Sequence, residues 1–174
     1  MSNSTGFLPN ISTLYKNHGG FKSLIRSAYF WISLFVTALC WRFVPGESWP
    51  DLAKDILPQL AGFSVAAYAL FFAVLDERSR KALREPAEQL GGRSPLLILA
   101  SSISHAVIVQ IVAVLVALVY LSKPLLTCSD DLAVVVNYSF GSLGLFLLIY
   151  GVTLVLAAVL SIFKILEIEA RVAS

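Results

Sequence analysis

Four long stretches of this 174-residue chain contain no charged side chain, and they constrain the fold more than any other feature. They hold 15, 20, 29 and 32 residues. The stretches lie between Arg26 and Arg42, Asp55 and Asp76, Arg93 and Lys123, and Asp131 and Lys164. A helix needs about 20 apolar residues to cross the hydrocarbon core of a bilayer. The pattern therefore predicts an all-α, polytopic membrane protein with four transmembrane helices.

The composition agrees with a chain solvated mainly by lipid. Hydrophobic residues make up 57% and charged residues 14%, whereas charged residues are about a quarter of a typical soluble protein. The net charge of +2 is too small to indicate nucleic-acid binding. Cys40 and Cys128 form neither a disulfide framework nor a metal-ligand pattern. No carboxylate or metal-ligand cluster falls within the apolar stretches, so we expect no enzymatic activity and no cofactor.

The basic residues are distributed unequally between the two sides of the predicted membrane. Lys and Arg favour the cytoplasmic flanks of spanning helices. Ten lie in the N-terminal tail, the second loop and the C-terminal tail: Lys16, Lys22, Arg26, Arg78, Arg80, Lys81, Arg84, Arg93, Lys164 and Arg171. The other side has three, Arg42, Lys54 and Lys123. This distribution predicts that both termini and the second loop lie in the cytoplasm.

The same boundaries divide the chain into a tail and a membrane domain. Residues 1–20 are expected to form a mobile cytoplasmic tail, and residues 21–174 a four-helix transmembrane domain with a cytoplasmic hairpin at 76–94. The predicted spans are about 27–45, 56–75, 95–121 and 133–163.

Local signals refine these boundaries. Trp49 is expected in the outer interfacial belt of aromatic side chains. A short outer helix should run through Ile56, and Pro58 should bend the entry to the second span. Ser94 and Pro95 are typical of the N-cap and first position of a helix, which places the start of the third span.

Small residues recur along one face of two predicted spans. Such stripes let helix backbones approach closely in lipid. They are Gly62, Ala66, Ala69 and Ala73 in the second span, and Gly141, Gly144, Gly151 and Ala158 in the fourth. Two interpretations remain open: packing within one four-helix bundle, or a homo-oligomer interface, for which the fourth span is the stronger candidate.

His105 is the ionisable group predicted to lie deepest in the membrane. It follows Pro95 by ten residues, about 15 Å along a helix. Ser101 lies one turn before it, and Gln110 follows five residues later. Intramembrane ionisable groups are functional candidates. His105 and Gln110 either satisfy hydrogen bonds between helices or take part in proton, ion or gating movements.

The second loop carries a cluster of basic residues, Arg78, Arg80, Lys81 and Arg84. Its helix-forming composition predicts a helical extension of the second span into the cytoplasm. The cluster is either a solvated connector with ordinary cytoplasmic charge or a docking surface for a cytosolic partner.

The layout resembles the small four-helix membrane subunits of bacterial phage-defence systems, such as the membrane component of the Kiwa system. The similarity covers the short N-terminal tail, the entry to the second span at Leu57–Ser64 and the basic hairpin at Asp76–Arg93. It implies a homo-oligomer that senses membrane disturbance and engages a cytosolic effector encoded beside it. The leading hypothesis is thus a non-enzymatic membrane protein that oligomerises and recruits or regulates such a partner. The alternative is an ion channel or membrane-permeabilising effector.

Thiol labelling tests the orientation, because Cys128 falls in the predicted outer loop. A membrane-impermeant maleimide should modify Cys128 in intact spheroplasts, with Cys128→Ser as the control for specificity. Labelling that requires opening of the membrane would reverse the predicted orientation.

Overall fold

The computed structural model describes residues 6–18, 21–45, 48–75, 77–86, 92–122 and 131–173. Across these ranges the regular elements are α-helices and one 3₁₀ turn, Trp41–Phe43, without any strand, which confirms the all-α prediction. The helices are α1 (Phe7–His18), α2 (Phe21–Arg26), α3 (Ala28–Leu39), α4 (Ser48–Val74), α5 (Glu77–Arg84), α6 (Pro95–Leu121) and α7 (Asp131–Ala173).

Three helices are long and apolar enough to cross a membrane. They are the segments Ser48–Ala73, Pro95–Leu121 and Ala133–Glu167. The first predicted span differs, because α3 has only 12 residues before the chain turns at Cys40. Such a helix is about 18 Å long, against a hydrocarbon core of about 30 Å. By length and composition, the described helices thus contain three candidate spans rather than four.

The N-terminal segment differs from the mobile tail expected over residues 1–20. Its described part forms α1, which packs against α6. Ile11, Leu14 and Tyr15 are half-buried, and this spacing of three and four places them on one helical face. The Tyr15 ring meets the His105 ring edge-on, with centroids 5.6 Å apart. This apolar face explains why the segment docks although its overall composition is polar.

The second span begins earlier than predicted, because α4 is one continuous helix that contains Pro58. The expected outer helix does not end near Ile56. A proline inside a helix removes one backbone hydrogen bond, and membrane helices tolerate this where neighbouring helices support them. Here α6 and α7 both pack along α4.

The central contact of the bundle lies between Trp49 of α4 and Gly144 of α7. Trp49 is fully buried, with Leu57, Leu148 and other side chains of the same core cluster around it. A Cβ atom on Gly144 would overlap the Trp49 indole ring. Trp49 therefore packs inside the bundle, in the groove that Gly144 leaves open, while its predicted interfacial depth stays a prediction.

The small residues of α7 pack inside the chain. A Cβ on Gly141 would lie 3.0 Å from the Val44 carbonyl oxygen, and one on Gly151 would lie 3.2 Å from Leu57 Cδ2. Ala158 is buried in a second core cluster, near the α5 end of the bundle. The expectation that this stripe is the stronger candidate for an oligomer interface is therefore wrong: other helices of the same chain already cover it.

The small residues of α4 have the opposite environment. Gly62, Ala66, Ala69 and Ala73 are all exposed, and no atom lies within 4 Å of a Cβ built on Gly62. Large apolar side chains on the same helix, including Phe63 and Leu70, are exposed as well. The surface of α4 formed by these small residues, here called the α4 face, is open to lipid or to another protein.

Two Gly→Ala substitutions separate these environments. Gly144→Ala should lower the free energy of unfolding by about 1–3 kcal/mol, because the added methyl group must displace the Trp49 ring. Gly62→Ala is the matched control and should leave stability unchanged or raise it, since alanine favours helix and has room there. Thermal unfolding in one detergent measures both. Equal stability of the two variants would contradict the close packing at Gly144.

Candidate functional site

A buried histidine–tyrosine pair lies at the centre of the bundle. His105 of α6 is 2% exposed and Tyr150 of α7 is 5% exposed. The Tyr150 hydroxyl and His105 Nε2 are 3.2 Å apart and hydrogen-bond, with the donor set by the histidine tautomer. Tyr15 of α1 covers the same imidazole ring. Three helices thus meet at one ionisable group.

Aromatic packing fixes the tyrosine in this pair. The ring of Tyr150 stacks on Phe146 of the same helix, with centroids 5.6 Å apart and planes 13° from parallel. Phe30 of α3 contacts both rings edge-on. Because the tyrosine ring is held from two sides, its hydroxyl is directed at His105 with little rotational freedom.

The serine expected beside His105 bonds elsewhere. Ser101 Oγ donates to the Ile98 carbonyl within its own helix, at 2.9 Å. The hydroxyl that meets His105 instead belongs to Tyr150, which the sequence interpretation missed. The sequence did show that Tyr150 lies within the longest charge-free stretch, but no spacing in the sequence links it to His105.

Gln110 forms a second polar contact between α6 and α7. Its side chain is fully buried, and Nε2 donates to the Gly151 carbonyl at 3.0 Å. Within the described part of the chain, Gln110 Oε1 has no hydrogen-bond partner. The absent side chain at Gly151 lets Gln110 approach this backbone closely, with Cγ 3.2 Å from a Cβ built there.

A third polar contact ties the short helix α3 to α7. Ser33 is fully buried, and its hydroxyl lies 2.8 Å from the Thr153 hydroxyl. Thr37, one turn further along α3, donates to the Ser33 carbonyl within its own helix. The Ser33 hydroxyl thus joins α3 to α7 through Thr153.

The four residues of the basic cluster, Arg78, Arg80, Lys81 and Arg84, lie together on α5, and all are exposed. Arg80 differs from the others, because its Nε and Nη2 atoms donate to the Leu75 carbonyl at 3.1 and 2.9 Å. The Leu75 carbonyl lies just after the C-terminal end of α4. By donating to it, Arg80 ties α5 to the end of α4. Asp76, four residues before Arg80, lies outside the described residues.

Two further contacts anchor α5 to the bundle. Leu83 is buried in the second core cluster, which also contains Leu75 and Leu99. Ser94 Oγ donates to the Leu83 carbonyl at 2.8 Å and accepts from the Leu97 amide. This confirms Ser94 as the N-cap of the third span. The helix that carries the basic residues is therefore fixed rather than free.

Cys40 is a half-buried free thiol, and Cys128 lies outside the described residues. No protein-family model, curated protein or solved structure matches this chain. Its function is therefore inferred from the geometry of its own residues.

Removal of one hydroxyl tests the histidine–tyrosine pair. Tyr150→Phe should destabilise the protein by about 1 kcal/mol or more, because it removes a buried hydrogen bond to His105. Tyr138→Phe on the same helix is the matched control, since Tyr138 is 45% exposed. Thermal unfolding in detergent measures both variants. If both variants have the melting temperature of the wild type, the hydrogen bond between Tyr150 and His105 contributes nothing to stability.

Proposed function

We propose that this protein is a non-enzymatic, four-span protein of the bacterial inner membrane, with both termini in the cytoplasm, that homo-oligomerises and recruits or regulates a cytosolic partner. In this proposal α3 completes the first crossing together with the turn that follows it and the basic residues at its ends. Arg26 and Arg42 are both exposed, and long basic side chains can extend outward to the headgroup level.

The observation that carries the proposal is the basic surface of α5. Arg78, Lys81 and Arg84 are exposed on a helix with one acidic residue, Glu77. The opposite side of the helix is anchored through Leu83. A solvated connector needs no such anchor, whereas a fixed array of charges favours recognition of a complementary acidic surface.

The α4 face supports self-association. In a bundle whose other small-residue stripe is already covered, this face keeps Gly62 open to close approach by another helix. Small residues at this spacing permit tight helix pairing in lipid. Two copies joined through α4 would each carry α5 directly after the shared helix, so that their basic surfaces would act together on one partner.

The polar core supports a structural role over a conducting one. The described contacts of His105, Gln110 and Ser33 each join one helix to α7 inside the chain. A pore instead needs polar groups that face a continuous path. The similarity in layout to Kiwa-type membrane subunits supplies the biological setting of the proposal, which is antiphage defence.

Charge reversal on α5 tests the proposal. The triple variant Arg78→Glu, Lys81→Glu, Arg84→Glu should weaken binding of the co-purifying cytosolic protein by about tenfold or more, because several charge pairs become repulsive. Arg80 is kept, since it caps α4. The measurement is titration of the purified partner against the detergent-solubilised protein at two salt concentrations.

Two controls decide the interpretation of that experiment. Lys164→Glu reverses an exposed charge on α7 and should keep partner binding, as should His105→Ala. Ion flux through proteoliposomes is measured in parallel. Partner binding that survives the α5 reversal, or flux that depends on His105, would replace the recruitment proposal with the channel alternative.

A further inference from the structure

A cavity of about 400 Å³ lies where α2 and α3 meet the middle and end of α7. Ser27 separates the two helices, because its backbone is extended, with φ −69° and ψ 130°. This separation prevents the N-terminal helices from packing continuously against α7. The resulting space is partly open and is lined along α7 from Tyr150 to Ser161.

One part of the cavity wall is rich in hydrogen-bond donors. Arg26, Ser23, Ser27 and Ser102 are among the lining residues, and none of the lining residues that the structure describes is acidic. Ser27 makes no side-chain cap for α3, although it occupies the N-cap position. An arginine together with serine hydroxyls is suited to a phosphate group, because two phosphate oxygens can accept the paired N–H groups of the planar guanidinium while the other oxygens accept from hydroxyls.

The rest of the lining is mainly apolar, with Tyr29, Tyr150 and Ser161 as its members that carry hydroxyl groups. Leu24, Leu154, Ala157 and Ala158 line the same space. The lining along α7 runs from Tyr150 to Ser161, eleven residue steps or about 16 Å of helix. A phosphate ion would occupy only the donor-rich part of this volume, whereas small-molecule sites of this size usually enclose a larger, mainly apolar ligand.

The position along the chain also indicates the headgroup level. Arg26 is the last charged residue before the first charge-free stretch, and Ser161 lies three residues before Lys164, where the fourth stretch ends. At this cavity, α2 and α7 therefore both change from apolar to charged sequence. That transition is the depth at which lipid phosphates lie.

We propose that this cavity binds an anionic phospholipid, with the lipid phosphate on Arg26 and the neighbouring serine hydroxyls and an acyl chain along Leu154 and Ala157. The headgroup of the proposed lipid carries no ammonium group. A phosphatidylethanolamine headgroup would bring a cation towards Arg26 with no lining carboxylate to pair with it, so the site favours phosphatidylglycerol.

Lipid retention during purification tests the site. The full-length protein is reconstituted with equimolar dioleoyl phosphatidylglycerol and phosphatidylethanolamine, extracted in mild detergent and analysed by native mass spectrometry. The wild type should retain phosphatidylglycerol preferentially. Arg26→Gln should lower its occupancy by about tenfold, since it removes the charged donor. Arg42→Gln is the matched control, because Arg42 is an exposed arginine outside the cavity lining, and should bind as the wild type does.

A steric variant separates the cavity from general charge attraction. Ala157→Leu keeps every charge but fills the apolar wall, and it should also lose the lipid. Thermal unfolding without added lipid identifies a variant that has lost its fold, in which case Ser102→Ala replaces it and should weaken retention. Equal retention in Arg26→Gln and wild type, or no preference between the two lipids, would overturn the proposal. Displacement of the lipid by millimolar inorganic phosphate would overturn it too, and would assign the donors to a soluble anion.

Discussion

The contact between the Trp49 indole and the bare backbone of Gly144 determines how the long helices can sit together. It joins α4 to α7 at a distance that no other residue at position 144 would permit. Tyr120 of α6 lies against the same indole, with ring centroids 5.1 Å apart, so all three long helices meet there. Lipid gives little hydrophobic drive for helix association, and close packing must supply the stability instead. The other polar and small-residue contacts of α7 depend on the register that this one contact sets.

The sequence predicted the helical class and the approximate location of three long spans because absence of charge is a local property. It predicted the N-cap at Ser94 for the same reason: the signal lies within a few residues. It failed where the outcome depended on a distant partner. The packing of Trp49 inside the bundle was not predicted, and within the described residues its Nε1 is buried without a hydrogen-bond partner. The fit to Gly144, ninety-five residues away in the sequence, outweighs that cost.

The candidate functional residues show the same difference between local signals and distant partners. His105 and Gln110 were identified from their position in apolar sequence, but their partners Tyr150 and Gly151 could not be. The small-residue stripes were identified, but not which of them is covered: the stripe of α7 is internal and that of α4 is exposed. Spacing shows that such residues share a helical face. It does not show which neighbour covers that face, since this depends on the arrangement of the whole bundle.

The pairing of α3 with α7 has a consequence for biosynthesis. The hydroxyls of Ser33 and Thr153 meet across 120 residues of sequence. A ribosome makes α3 before α7, so the short helix must wait for its lateral partner until the residues between them have been made. Until then Ser33 has only the Tyr29 carbonyl of its own helix to bond with, and the helix is too short to cover the bilayer core alone. A chain interrupted before α7 therefore exposes a marginal first segment, which is the kind of feature that membrane proteases can use to distinguish incomplete chains from finished ones.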